Sequence, residues 1–231
     1  MTPTRKGIEI SGLVDAYYEV GPSKGYEIGQ IVWMPAIYPD KNKTIIDINV
    51  SQDPTETALP AILSTYDNRK NTFPVKSFLL DSKEVFFVNR GKLRPSIIVA
   101  SLFTRWPSQP SEQIYLCVPL YTLEKGKIGQ DFVVGSQAFH YSSKFYLPPQ
   151  PNYHIEEAIG RFEYIQAVDV YALKAFQDCG HAVMLTKEFF GLLKIQLARF
   201  WGYPIAQKDS EEITAYGELI LEEARKQGVK V

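Results

Sequence analysis

Arg94, Tyr121 and Thr122 are the residues of this chain best placed to do chemistry on a phosphate. Arg94 stands in a basic knot, Arg90-Gly91-Lys92-Leu93-Arg94-Pro95, that opens an apolar, β-branched block, Ser96-Ile97-Ile98-Val99-Ala100. Tyr121 and Thr122 form a hydroxyl pair just beyond a second such block, Ile114-Tyr115-Leu116-Cys117-Val118. Each block is about one strand long, and turn-rich sequence separates them. Antiparallel pairing would set the start of one strand beside the end of the next, carrying Arg94 toward the two hydroxyls. A guanidinium fork matches phosphate oxygens in geometry and charge, and hydroxyls can donate to the same oxygens. Taken by itself, an arginine at a strand start has a plainer role, solvated or paired with a carboxylate such as Glu84.

The elements that must position these residues are mostly short strands. Ile28–Met34 reads as a strand stopped by Pro35, and Thr44–Val50 alternates through Ile46, Ile48 and Val50. Phe73–Leu80 and Val85–Val88 follow, then the central pair, and Asp131–Val134 is expected as a further strand. Gly160–Tyr171 fits a late strand or two. Many short strands with frequent turns point to a small barrel or a strongly bent sheet. Ile8–Val20 is mixed, with Leu13, Val14, Tyr17 and Tyr18 favouring a short helix. Gln137–Tyr153 keeps no simple period and reads as a long irregular loop.

Near the C-terminus the period changes from 2 to 3.6. Leu185, Phe189, Leu193, Leu197, Phe200 and Trp201 share a helical face, Thr186 suits its N-cap, and Gly202-Tyr203-Pro204 ends it. Phe190, Leu192 and Ile195 widen the apolar surface, so this helix is expected to be buried on more than one side. A last helix is expected over Ser210–Gln227, with Asp209 and Glu212 at capping-box spacing.

Composition narrows the functions. A chain of 231 residues, 45% of them hydrophobic, can bury a real core. Its formal net charge of -1 argues against bulk nucleic-acid binding and leaves room only for a local basic surface. Lys83, Arg90, Lys92, Arg94, Arg105, Lys125 and Lys127 supply one in the central stretch. There is no P-loop, dinucleotide fingerprint, paired CxxC, HExxH or nucleophile elbow, and His140, His154 and His181 are scattered. Neither a metal nor another cofactor is expected. Cys117 and Cys179 are expected to be free thiols of a reducing cytosol. No apolar run is long enough for a transmembrane helix, and the first residues lack the build of a signal peptide.

The order of several motifs resembles the MazF/PemK-type toxins. Gly29-Gln30-Ile31-Val32-Trp33 is similar to their opening strand, and Gly91-Lys92-Leu93-Arg94-Pro95-Ser96-Ile97-Ile98-Val99 to their arginine-proline strand. Leu116-Cys117-Val118-Pro119-Leu120-Tyr121-Thr122 looks like the strand that ends in their threonine, and the Leu185–Trp201 helix like their C-terminal helix. The resemblance implies an SH3-like, MazF/PemK-type small β-barrel with C-terminal helices. It would occupy residues 26–204, preceded by an extension over 1–25, carry insertions near 35–88 and 136–158, and be followed by an appended helix over 205–231. It also implies a cytoplasmic homodimer with an antitoxin partner, cutting single-stranded RNA at short sequences without a metal.

In that family the arginine stabilises charge on the phosphate or moves a proton, while the threonine places the phosphate. The RNA 2′-hydroxyl attacks, leaving a 2′,3′-cyclic phosphate and a 5′-hydroxyl. Arg94 carries over to this chain directly. The threonine falls on Tyr121 in an ungapped match, with Thr122 one residue beyond, so Thr122 needs a bulge to reach the site. Arg90, Lys92, Arg105 and Lys125 are the expected RNA contacts. Members of the family are much shorter than this chain. A non-catalytic module that binds nucleic acid or protein on the same barrel is the alternative, and an assembly protein using the Leu185–Trp201 helix as an interface is a third.

Overall fold

The computed structural model describes residues 7–8, 16–22, 24–37, 44–48, 61–65, 87–88, 91–104, 112–123, 128–178 and 181–229. In chain order the elements are β1 (Tyr18–Val20), β2 (Ile31–Ile37), β3 (Thr44–Ile48), β4 (Ala61–Thr65), β5 (Phe87–Val88), β6 (Gly91–Thr104) and β7 (Glu112–Thr122). Then come α1 (Gln130–Gln137), β8 (Lys144–Leu147), β9 (Ala158–Arg161), β10 (Gln166–Asp169), β11 (Lys174–Ala175), β12 (Gln177–Asp178), β13 (His181–Leu185), α2 (Lys187–Trp201) and α3 (Gln207–Lys226). The protein is mainly β, with helices at its C-terminal end.

The chain divides into two compact units, one of residues Ile37–Lys92 and one of Met1–Ala36 with Leu93–Val231. In the smaller unit, β3 lies between β4 and β5, antiparallel to both, with Ile46 opposite Leu63 and Ile45 opposite Phe87. Phe73–Leu80 lies outside the described residues.

The larger unit is built on a sheet in the order β11-β2-β6-β7-β9-β8, with β10 also paired to β7. Among the described residues this sheet ends at β11 and β8 and does not close. Its spine is the antiparallel β6–β7 pair, in which Ser96 faces Pro119, Ile97 faces Val118 and Ile98 faces Cys117. Val99 is then skipped, so that Ala100 faces Leu116 and Ser101 faces Tyr115. One extra residue on one strand is a β-bulge.

Both faces of the spine are covered near its centre. Ile97, Val118 and Leu120 pack into a cluster with Phe145, Leu147 and the α2 residues Phe189, Leu193 and Leu197. Ile98, Cys117 and Tyr115 pack with Val32, Met34, Val168 and Leu173. Burying a strand on both faces explains why its sequence is a continuous apolar run rather than an alternation.

The helices hold the C-terminal side. Thr186 caps α2, its hydroxyl accepting from the Phe189 N–H at 3.4 Å and donating to the Ala16 carbonyl at 2.7 Å. Gly202, at φ 71°, closes α2 in the left-handed region that glycine enters without strain. Gln196 is wholly buried and donates to the Tyr141 carbonyl at 2.7 Å, which ties α2 to the turn before β8.

Several sequence-based expectations need correction. Tyr17 and Tyr18 do not enter a helix: Tyr18–Val20 is a strand antiparallel to β13, and the buried Tyr18 donates to the Pro148 carbonyl at 2.6 Å. Pairing with a distant strand there outweighs local spacing. Leu13 and Val14 lie outside the described residues. Asp131–Val134 is helix α1, not strand. Val134 and Ala138, four residues apart, pack in one cluster with Ile220, which is the spacing of a helix face.

Residues 137–153 are not an irregular loop throughout. They contain β8, which pairs with β9 and whose Phe145, Tyr146 and Leu147 are all buried. Strand β2 is not stopped by Pro35. Its pairing with β11 covers Val32 and Trp33, and Pro35 lies beyond that ladder. Helix α3 begins earlier than expected, with Ala206 at its N-cap and Asp209 within its first turn.

Candidate functional site

The candidate site grows out of the β6–β7 register. Carrying the Ser96–Pro119 pairing two residues further sets Arg94 across from Tyr121, on the sheet face that also bears Ile98 and Cys117. The Arg94 guanidinium carbon lies over the Tyr121 ring, 4.2 Å from its centroid.

The next strand extends the same face. Tyr121 pairs with Ile159 of β9, so Arg161, two residues on, points the same way. Its guanidinium carbon is 5.2 Å from the Tyr121 centroid and 4.3 Å from that of Tyr164. The Tyr121 and Tyr164 rings are 5.9 Å apart and inclined at 45°. Arg94, Tyr121, Arg161 and Tyr164 thus form a ladder in which cations and aromatic faces alternate. Each such contact contributes about 0.5–1 kcal/mol at an exposed site.

Local structure explains how Tyr164 comes to be there. Strands β9 and β10 both pair with β7, but Gly160 faces Leu120 while Gln166 faces Cys117. The change of register is taken up by a 3-10 turn at Phe162–Tyr164. That turn brings Tyr164 beside Tyr121, with Phe162 buried at its start. Its Phe162 N–H donates to the Ser143 carbonyl at 3.0 Å, fixing it to the start of β8.

Strand β8 adds Lys144, which pairs with Arg161. One oxygen of Glu163 accepts from the Lys144 ammonium and from Arg161 Nε and Nη2, the last two at 3.1 and 2.8 Å. Burial pushes the Glu163 carboxyl up. Hydrogen bonds from Lys144, its own backbone and Arg161, with the Lys144 charge, outweigh burial and hold it below the usual range. Glu163 therefore sits ionised among the cations and orients Lys144 and Arg161, and is a weaker base for being so held.

Thr122 does not join this group. It pairs with Ala158 one residue beyond Tyr121, so its side chain takes the other face, and it is exposed. The bulge that could have shifted the register lies far along the hairpin at Val99. Lys92 is exposed at the start of β6, in the Ile37–Lys92 unit. Arg90, Arg105 and Lys125 lie outside the described residues.

Sequence reasoning missed Lys144, Arg161, Glu163 and Tyr164. The signal for Arg161 was its two-residue spacing from Ile159, but that spacing has meaning only once β9 is known to pair with Tyr121.

Among the described residues, no group of three or more His, Cys, Asp or Glu side chains is placed to hold a metal ion. Also among them, no helix is long and apolar enough to cross a membrane. Comparison of the chain with family models, curated proteins and solved structures finds no match.

Proposed function

We propose that the face built from Arg94, Tyr121 and Arg161 binds single-stranded RNA and cleaves it without a metal, in the manner of the MazF/PemK-type toxins. The observation that carries this reading is the guanidinium carbon of Arg94 lying 4.2 Å over the centre of the Tyr121 ring, with that of Arg161 5.2 Å from the same ring. A guanidinium fork matches phosphate oxygens in geometry and charge. Aromatic and guanidinium planes also suit unpaired bases, which stack on them with little regard to sequence.

In the proposed reaction the RNA 2′-hydroxyl attacks its own phosphorus and the 5′-oxygen leaves. Arg94 and Arg161 stabilise the charge that builds on the phosphate oxygens. The Tyr121 phenol donates to one of those oxygens, taking the place that threonine has in the toxins. The 2′-hydroxyl proton passes to solvent and the leaving oxygen regains one, giving a 2′,3′-cyclic phosphate and a 5′-hydroxyl. The sheet would be an enlarged and opened counterpart of the toxin barrel, in a cytoplasmic homodimer held in check by an antitoxin.

A second reading is favoured by Thr122, whose side chain takes the opposite face from Arg94. On that reading the same surface binds RNA and leaves it whole. Incubation of a long single-stranded RNA in EDTA separates the two. Discrete cuts with cyclic phosphate ends, reduced about 100-fold or more by Arg94→Ala and about 10-fold or more by Tyr121→Phe, support the nuclease. Retained binding without cuts supports the module. Neither cutting nor binding by a folded protein sinks both.

A further inference from the structure

We propose that the cleft between α1 and α3 is a peptide-binding site for an extended Gly-Ile segment, and that its resident occupant is the chain's own Gly7–Ile8, held as a releasable latch. The grip on this dipeptide has the parts of a recognition site. The Gln137 side chain is buried and treats Ile8 as a strand would: its Oε1 accepts from the Ile8 N–H at 2.8 Å and its Nε2 donates to the Ile8 carbonyl at 2.6 Å. The Ile8 side chain, 1% exposed, fills a pocket made by Val134 and Ala138 of α1 with Ile220 and Ala224 of α3.

The residue before it is read by close approach. The Gly7 N–H donates to Glu157 Oε1 at 2.7 Å, and the Tyr146 hydroxyl donates to that same oxygen at 2.7 Å. A Cβ on Gly7 would overlap the Tyr146 hydroxyl, so a larger residue there would have to displace the buried Tyr146 ring. Backbone hydrogen bonds thus supply grip, while an aliphatic pocket and a close contact that favours glycine supply selectivity. This is the division of labour in proteins that bind extended peptides. The occupant lies 129 residues from Gln137 in sequence.

A full-length Ile8→Asp variant vacates the pocket without altering it. A fluorescein-labelled peptide spanning Thr4–Ser11 is then titrated into this variant and into the unaltered chain. The peptide is expected to bind the variant about 10-fold or more tighter, because a tethered segment competes at millimolar effective concentration. Adding Gln137→Leu to the variant, or replacing Gly7 by Val in the peptide, is expected to abolish binding. Equal binding to both proteins, or binding indifferent to Gln137 and Gly7, overturns the site.

Should Ile8→Asp not fold, amide exchange on the unaltered chain decides the matter. A latch exchanges at Ile8 by local opening, faster than Ile97 and Val118 of the spine. Exchange of Ile8 in step with those core amides overturns the proposal.

Discussion

Cys117 shows how a single side chain reports its surroundings. It is wholly buried in β7, and burial pushes its thiol from an ordinary 9.0 up to about 12. The thiolate is the reactive form, so native Cys117 is expected to resist a disulfide reagent at pH 8 and to react once the protein is unfolded. A Cys179→Ser background isolates that signal. The pH dependence has a definite sign. The folded state keeps the proton to a higher pH than the unfolded chain, so stability should fall as pH rises from about 9 to about 12, and the group adds no slope below that window. Chemical denaturation at pH 8 and pH 10.5, compared between the background protein and its Cys117→Ala derivative, measures it. Of the site residues, Arg94 and Tyr121 were legible in the sequence because each closes or opens an apolar block. Their neighbours Arg161 and Tyr164 were not, because only the β7–β9 pairing and the 3-10 turn bring them in.

Among the elements, the helix that the 3.6 spacing marked most strongly is present with its Thr186 cap, as α2. Helix α1 escaped notice because it is only 8 residues long and its valines serve two clusters. Strand β8 escaped because its last three side chains, Phe145, Tyr146 and Leu147, are all buried, which removes the alternation that marks a half-exposed strand. Helix α3 depends on a contact that no periodicity reveals. A Cβ on Gly217 would stand 2.6 Å from the Ala138 carbonyl oxygen, which is backbone and cannot swing aside. Gly217→Ala should gain about 1 kcal/mol of helix propensity and lose about 1–3 kcal/mol to overpacking. Net destabilisation is therefore expected, read as a lower denaturant midpoint. A stabilised variant would show that α3 is free to move away from α1.

For the whole molecule, the near-neutral charge limits how RNA could be held under the proposed function. A net charge of -1 provides no general attraction, so affinity must come from the few cations of the ladder and from stacking. With Arg94, Arg161 and Lys144 as the phosphate contacts, and Glu163 offsetting part of their charge, log affinity should fall against log salt with a slope of about 2. Filter binding from low to moderate salt tests this, and a slope near 6 would require a far wider basic surface than the ladder provides. The mainly β class was legible because strand signals recur along the chain. The division that leaves Ile37–Lys92 as a unit of its own was legible only as an unusual distance between the first strand and the arginine-proline motif.

The skipped residue in β6 has a consequence best put as parity. From Ser96 to Ile98 each residue and its partner on β7 have numbers that sum to one constant, and from Ala100 onward the sum is one greater. Val99 absorbs the difference, so the half of the hairpin that carries Arg94 and the half that runs to Thr104 keep separate counts of inside and outside. Deleting Val99 alone would merge the two counts. Every cross-strand pairing on either side would survive, so Arg94 is expected to keep its face across from Tyr121 and only the local kink of the bulge to be lost. The bulge thus bends the strand without deciding which side Arg94 takes.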